Sequence, residues 1–306
     1  MRDSTSAFHM PVLLLPVLAA AQGARRAVDA TLGDGGHAAA LRDLGLEVLG
    51  IDRDPDALAV SRARLGDGGI RYLQAPYASP EALTAIAGFG PDFILVDLGV
   101  SSRQLDDEAR GFTFRPGAPL DMRMGVTGQS AMDLLNLAPA QTLERIFRDY
   151  GDERRARRLS AEIVRRRSHR PFTISDDLVN AVRATLGAKA GPSDFARLFQ
   201  AVRVAVNDEL GELDRALPRF RDALKAGGRL SIITYHSGED RIVKHAFRDW
   251  ARSCVCPPEL PVCICRDRSL GRAEPRKPVV PDATELTANP RARSAKLRTF
   301  LVTDEA

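Results

Sequence analysis

Val28-Asp-Ala-Thr-Leu-Gly-Asp-Gly-Gly-His37 is the stretch that decides the fold. It reads as the end of a buried strand, a glycine turn, and a helix opening at about Gly36. Gly33, Gly35 and Gly36 permit a tight turn and let backbone amides approach a ligand. Ala38-Ala-Ala-Leu-Arg-Asp-Leu44 then has helical character, and Glu47-Val-Leu-Gly-Ile-Asp52 is a second apolar strand closing on an acid. The result is a β-α-β unit with a carboxylate about 20 residues past the first glycine, placed for the hydroxyls of a ribose. Such a unit predicts a nucleoside-containing cofactor.

Gly33-x-Gly35-x-x-Ala38 also satisfies the loose dinucleotide fingerprint, so charge has to discriminate. A dinucleotide sets its pyrophosphate against the helix start, where amides suit it and a nearby acid does not. Here Asp29 ends the strand and Asp34 lies inside the loop. Two carboxylates suit a cofactor carrying an ammonium and a sulfonium, S-adenosylmethionine. The plain alternative for Asp34 is a solvated turn residue.

Outward from this unit, Asp54 and Pro55 open a helix that runs to Leu65. Arg71-Tyr-Leu-Gln-Ala-Pro-Tyr77 predicts a third strand, and Pro91-Asp-Phe-Ile-Leu-Val-Asp97 a fully apolar fourth one. Alternating strand and helix predict an α/β domain with a mostly parallel sheet covered on both faces. Ligands of such sheets bind beyond the carboxyl ends of the strands, where Asp29, Asp52, Tyr77 and Asp97 converge. The alternation stops over 105–198, which is polar, arginine-rich and helical in period, as in Leu143–Tyr150 and Arg154–Arg167. Arg154, Arg155, Arg157, Arg158, Arg165, Arg166, Arg167 and Arg170 have few acids to offset them, which points to phosphate contact; a solvated helix face is the bland alternative. One long helix is expected over Phe199–Leu213, another after Pro218, a fifth strand over Arg229–His236, its helix over Ser237–Trp250, and a last strand over Lys296–Val302. The organisation expected is a first domain part at 1–104, an inserted helical substrate-recognition domain at 105–198, and a second part with a basic tail at 199–306.

A chain of 306 residues with a net charge of +4 can bury a large core, and its modest basicity suits a nucleic-acid partner without requiring one. No apolar run is long enough to span a bilayer. Met10–Ala21 has the apolar look of a signal segment but lacks a basic flank, since Arg2 and Asp3 cancel. It is expected to be an amphipathic opening helix of a cytoplasmic protein. The four cysteines, Cys254, Cys256, Cys263 and Cys265, form two Cys-x-Cys pairs across a proline-rich turn. Zinc sites more often use Cys-x2-Cys, so reduced thiols are favoured over zinc, and no metal is assigned.

The motifs resemble those of one family along the whole chain: the bacterial small-subunit ribosomal RNA methyltransferase H, or MraW, family. They include His9-x-Pro-Val-Leu-Leu14, Asp29–His37, Ile51-Asp-Arg-Asp-Pro55, Asp97-Leu-Gly-Val-Ser-Ser-x-Gln-Leu-Asp-Asp107 and Arg110-Gly-Phe-x-Phe114. Pro119-Leu-Asp-Met-Arg-Met124, Phe199–Asn207, His236-Ser-x-Glu-Asp-Arg-Ile-Val-Lys244 and Asn289-Pro-Arg-Ala-Arg-Ser294 follow in order. The resemblance implies a class I S-adenosylmethionine-dependent methyltransferase domain interrupted by a helical insert. It implies methylation of a cytidine N4 amine in 16S ribosomal RNA near the decoding centre, within the small subunit. It places cofactor contacts on Gly35, Gly36, His37, Asp52, Tyr77, Asp97 and Gln104, with Asp97 also the catalytic acceptor beside the amine. Tyr77 stands where the family often has Phe, Tyr235 where Phe is common, Gly238 where Leu is usual, and Asp194-Phe-Ala-Arg197 departs from the family's approach to the long helix. Phe112, Phe114 and Tyr235 are the aromatic candidates for sandwiching a cytosine. The rival readings are an RNA-binding protein on a degenerate methyltransferase fold and an NAD-dependent dehydrogenase. The oligomeric state is open, a homodimer among the options.

Overall fold

The computed structural model describes residues 10–256, 262, 265 and 268–303. The chain divides into two compact units, one of Met1–Gly99 with Leu210–Ala306, the other of Val100–Glu209. The helical segment expected over 105–198 falls inside the second unit.

The first unit opens with α1 (Leu14–Ala20), then alternates β1 (Arg26–Asp29), α2 (Gly36–Asp43), β2 (Glu47–Asp52), α3 (Pro55–Leu65), β3 (Ile70–Gln74), α4 (Pro80–Phe89) and β4 (Phe93–Asp97). Asp54 and Ser79 cap α3 and α4 through their side chains, each followed by a proline in the first turn. These are positions where a missing N–H costs nothing. Within β4, Phe93 and Leu95 face one side of the sheet while Ile94 and Val96 face the other, so every residue but the terminal Asp97 is buried. The β1 residues Ala27 and Val28 split the same way.

The second unit holds α5 (Ser102–Asp106), α6 (Ala131–Leu137), α7 (Ala140–Asp149), α8 (Ala156–Arg167), α9 (Ser175–Leu186) and α10 (Pro192–Asn207). Leu143, Ile146 and Phe147 of α7, Leu159 and Ile163 of α8, and Leu198 and Val202 of α10 build its own core.

Then come α11 (Glu209–Ala223), β5 (Arg229–Thr234), α12 (Ser237–Trp250), β6 (Gly271–Ala273), α13 (Ala283–Ala288) and β7 (Lys296–Val302). The sheet has seven strands in the order β3-β2-β1-β4-β5-β7-β6. The pairs from β3 to β5 are parallel, and β7 runs antiparallel to both β5 and β6. The strand order reverses between β1 and β4, which opens a crevice at their carboxyl ends.

Three expectations need correcting. The helix expected over Phe199–Leu213 is two helices, broken at Asp208 in the left-handed region (φ 50°, ψ 37°). The buried Asn207 amide donates to the Met122 and Arg203 carbonyls at 2.7 and 2.9 Å and accepts the Met124 amide at 2.8 Å, while Arg203 clasps Glu209. Tertiary bonds therefore end a helix that local periodicity would continue, at an Asp that tolerates the turn. Pro218 lies inside α11 rather than before it; burial of Leu213, Ala216, Leu217 and Phe220 holds the helix through it. Finally, β3 ends at Gln74, so Tyr77 sits in the turn beyond the strand.

Candidate active site

The carboxyl ends of β1, β2 and β4 present Asp29, Asp52 and Asp97. The glycine turn after β1 brings the start of α2 over them. Gly35 is the N-cap of α2 with φ 76°, and a Cβ there would lie 2.8 Å from Leu65 and 2.9 Å from Ser61. A side chain is thus barred twice, by backbone conformation and by α3. A Cβ on Gly36 would meet Pro11 at 2.6 Å. Pro11, just before α1, closes over the turn, and Ser61 donates to the Gly33 carbonyl at 2.7 Å.

Asp52 fixes the turn from the side. Its carboxylate accepts the Gly33 amide and the Asp54 amide, each at 2.8 Å. Burial raises its pKa, against those two amides, which favour the charged form.

Asp97 is more constrained. Its amide donates to the Thr31 hydroxyl at 2.7 Å, one carboxylate oxygen accepts the Tyr235 hydroxyl at 2.9 Å, and the other lies 3.7 Å from His37 Nδ1. Burial pushes its pKa up to about 7; the Tyr235 bond pulls down, while Asp29 and Glu239 push up. Asp29 is 1 % exposed and is also raised to about 7, chiefly by burial and further by Asp52. Tyr235 is raised well above 10 by burial and the adjacent carboxylates, so it stays a donor.

His37 is buried, and burial lowers its pKa to about 4, so the ring is neutral at physiological pH. Its Nε2 lies 2.9 Å from the Val12 carbonyl and must donate there, which leaves Nδ1 as a bare lone pair toward Asp97. The 3.7 Å gap is too long for a hydrogen bond. A lone pair facing a carboxylate, beside a second buried acid, is an arrangement that a positive donor would complete. Among the described residues no lysine or arginine forms an ion pair with Asp29 or Asp97.

Tyr77 packs in the core, its ring 6.0 Å from Phe220. Gln104 lies in the second unit, where its carbonyl accepts the Ser101 amide at 3.0 Å in a capping box and its amide points at the Met124 carbonyl. The first unit thus gathers Gly35, Gly36, His37, Asp52, Tyr77 and Asp97, and Gln104 belongs to the other.

Of the aromatic candidates, Tyr235 is committed to Asp97, and Phe114 packs edge-on against Phe195 and Phe199 within the second unit, where Phe112 also packs. Reading the sequence alone missed Thr31, Ser61, Pro11 and Val12. Thr31 carried a signal, two residues past the strand and inside the glycine motif, and Pro11 and Val12 stand in the His9–Leu14 motif; Ser61 became visible only through packing.

The arginine run needs a correction. Arg165 and Arg166 pair with Glu162 at 2.8 and 2.7 Å, which holds Glu162 down at about 2. Arg155 donates to the Thr185 and Leu186 carbonyls, and Arg167 to those of Leu135 and Ala138. Those two arginines cap the ends of α9 and α6, a structural use of the charge. Arg154, Arg157, Arg158 and Arg170 are exposed and carry no such bond.

A sheet in this order with β7 reversed, a glycine turn after β1 and acids on the strand ends define a class I S-adenosylmethionine-dependent methyltransferase. The chain belongs to the MraW methylase family, whose model matches residues 6–302. It is 54% identical over 305 residues to the ribosomal RNA small subunit methyltransferase H of Gemmatimonas aurantiaca, covering 97% of this chain and 96% of the relative. The protein of the same name from Heliobacterium modesticaldum is 46% identical over 303 residues, covering 95% and 97%. That from Rubrobacter xylanophilus is 45% identical over 312 residues, covering 98% and 97%. Among the described residues no helix is long and apolar enough to cross a membrane.

Proposed function

We propose that this chain transfers a methyl group from S-adenosylmethionine to the exocyclic N4 amine of a cytidine in 16S ribosomal RNA, acting on the small ribosomal subunit in the cytoplasm. The observation that carries the cofactor is the pair of buried acids Asp29 and Asp97, with a neutral His37 lone pair beside them and, among the described residues, no lysine or arginine paired with them. A ligand with an ammonium and a sulfonium supplies that charge, and a nicotinamide dinucleotide brings two more negative ones. The names of the relatives support the RNA class.

The cofactor supplies an electrophilic methyl group. The protein's own task is to align a weak nucleophile, since the lone pair of an aromatic amine is delocalised into its ring. Asp97 is the acceptor toward which the amine's N–H is directed, and its carboxyl, titrating at about 7, can take a proton that the attacked nitrogen sheds. Tyr235 holds one oxygen of Asp97 and leaves the other to face the reacting groups. Asp52 holds the ribose, while Gly35 and Gly36 let the backbone approach, and Tyr77 flanks the adenine.

The test has two arms. Calorimetric titration with S-adenosylmethionine should give saturable binding and titration with NAD none; the reverse would overturn the cofactor. Mass spectrometry of 16S ribosomal RNA from cells lacking the protein should show one N4-methylated cytidine lost, restored by the wild-type chain. An unchanged methylation pattern defeats the RNA assignment.

A further inference from the structure

At the base of the connection from α12 to β6 the Leu270 amide donates to the Trp250 carbonyl at 2.8 Å. None of the described residues between Ala251 and Ser269 belongs to a hydrophobic core, and Val255 and Val262 stand 47% and 69% exposed. Among the described residues between Ala251 and Leu270 none lies in a helix or strand, and a connection of that kind is one that a bound ion can organise.

The cysteines are in the right place. Cys254, Cys256 and Cys265 bring their sulfurs within 4.8 Å of one another, although eight residues of chain separate the second from the third. All three are thiols. The Val255 amide points at the Cys265 sulfur at 3.3 Å, a bond across the loop that suits a thiolate acceptor. Three thiolates around tetrahedral zinc, each about 2.3 Å from the ion, stand about 3.8 Å apart, so the cluster needs to contract by no more than about 1 Å. A soft all-sulfur set selects zinc over magnesium, calcium or manganese. Cys263 lies outside the described residues and has no part in the assignment.

We propose that Cys254, Cys256 and Cys265 bind one zinc ion that organises the connection between α12 and β6. Three thiolates occupy three corners of the tetrahedron, and no residue of the Asp29–Asp97 cluster contributes a ligand. Expulsion of protons on binding makes occupancy fall at acid pH.

The experiment is elemental analysis of the full-length protein, purified under reducing conditions without chelator. About one zinc per chain is expected, and a mercurial reagent should release it in step with thiol modification. Cobalt substitution should give thiolate-to-metal charge transfer in the near ultraviolet with tetrahedral bands in the red. Cys254→Ser with Cys256→Ser, and Cys265→Ser alone, should each lose more than half of the metal, while Cys265→His, which restores a nitrogen ligand, should hold more than Cys265→Ser. Circular dichroism confirms that each variant keeps its helices. A metal-free protein whose thiols titrate freely, a disulfide seen as a two-hydrogen mass loss, or full zinc retention in both serine variants overturns the proposal.

Discussion

Asp97 is a residue that its neighbours do not allow to be an ordinary carboxylate. With Asp29 it titrates at about 7 in the fold against 3.8 as a free side chain, burial being the main cause for both. Between those values the folded state binds more protons than the unfolded chain, so the ligand-free fold is most stable below about pH 4 in this respect and loses that stability as pH rises through about 7. His37, lowered to about 4, works the other way between about 4 and its ordinary value, but it is one group against two. Asp97→Asn should therefore flatten the fall in melting temperature between about pH 5 and 7.5, worth on the order of a few kcal/mol at neutral pH; thermal melts across pH check this, and an unchanged slope refutes it. The same acids must ionise to receive a cation, so S-adenosylmethionine should bind more tightly as pH rises through about 7. Tyr235→Phe removes the one bond that pulls Asp97 down, so the midpoint of that pH dependence should move upward, measured by calorimetry at several pH values. A midpoint that stays put makes Tyr235 a packing residue. For the ribose, Asp52→Ala should weaken binding by about 1–3 kcal/mol, since two hydroxyls and the Gly33 amide lose their acceptor; wild-type affinity would remove Asp52 from the site.

At the scale of elements, the glycine turn is clamped between two neighbours. Pro11 covers Gly36 from one side, and Ser61 and Leu65 of α3 cover Gly35. The Gly36 position is therefore empty for the chain's own packing as well as for any ligand. Gly36→Ala should cost about 1–3 kcal/mol of stability by overpacking against Pro11. Adding Pro11→Ala removes the ring atom at 2.6 Å and should recover part of the loss, a coupling that denaturant unfolding of the four species measures. Additive losses would show that the clash is relieved elsewhere. The basic tail behaves differently from its composition: Lys296 and Arg298 of β7 hold Asp240 on α12 at 3.4 and 2.7 Å. Part of its charge thus fastens the antiparallel edge of the sheet.

For the whole molecule, the two units have separate cores, so the proposed roles, cofactor binding in the first and RNA contact on the second, are separate energetic problems. The arginines that can face a phosphate backbone are those without internal bonds. Changing Arg154, Arg157, Arg158 and Arg170 together to Glu should weaken subunit binding and flatten its salt dependence, because each lost phosphate contact removes a counterion-release contribution. Affinity for S-adenosylmethionine should stay within about a factor of two. Wild-type RNA affinity and salt slope in that variant would make the run a solvated face. Changing Arg155 and Arg167 instead should lower stability, because both cap helices of their own unit.

Strand alternation, glycine spacing and acids at strand ends are local, and they sufficed for a mostly parallel sheet and the cofactor class; Gly35, Gly36, His37, Asp52, Tyr77 and Asp97, which the resemblance named, lie in one unit. A buried strand declares itself by an unbroken apolar run, as β4 does, and a tight turn by residues that only it tolerates. Whatever depended on a partner distant in sequence was decided by tertiary structure. The break at Asp208 rests on Asn207 reaching Met122 and Met124, and the roles of Arg155 and Arg167 rest on carbonyls some thirty residues away. The neutral state of His37 rests on burial, against the Val12 bond, and the elevated Asp97 on burial first, with Asp29 and Glu239 adding to it from another strand and a helix. The physical reason is common to all of them. Periodicity and propensity act over one or two turns of chain, whereas desolvation and hydrogen-bond satisfaction depend on which surfaces the folded chain brings together.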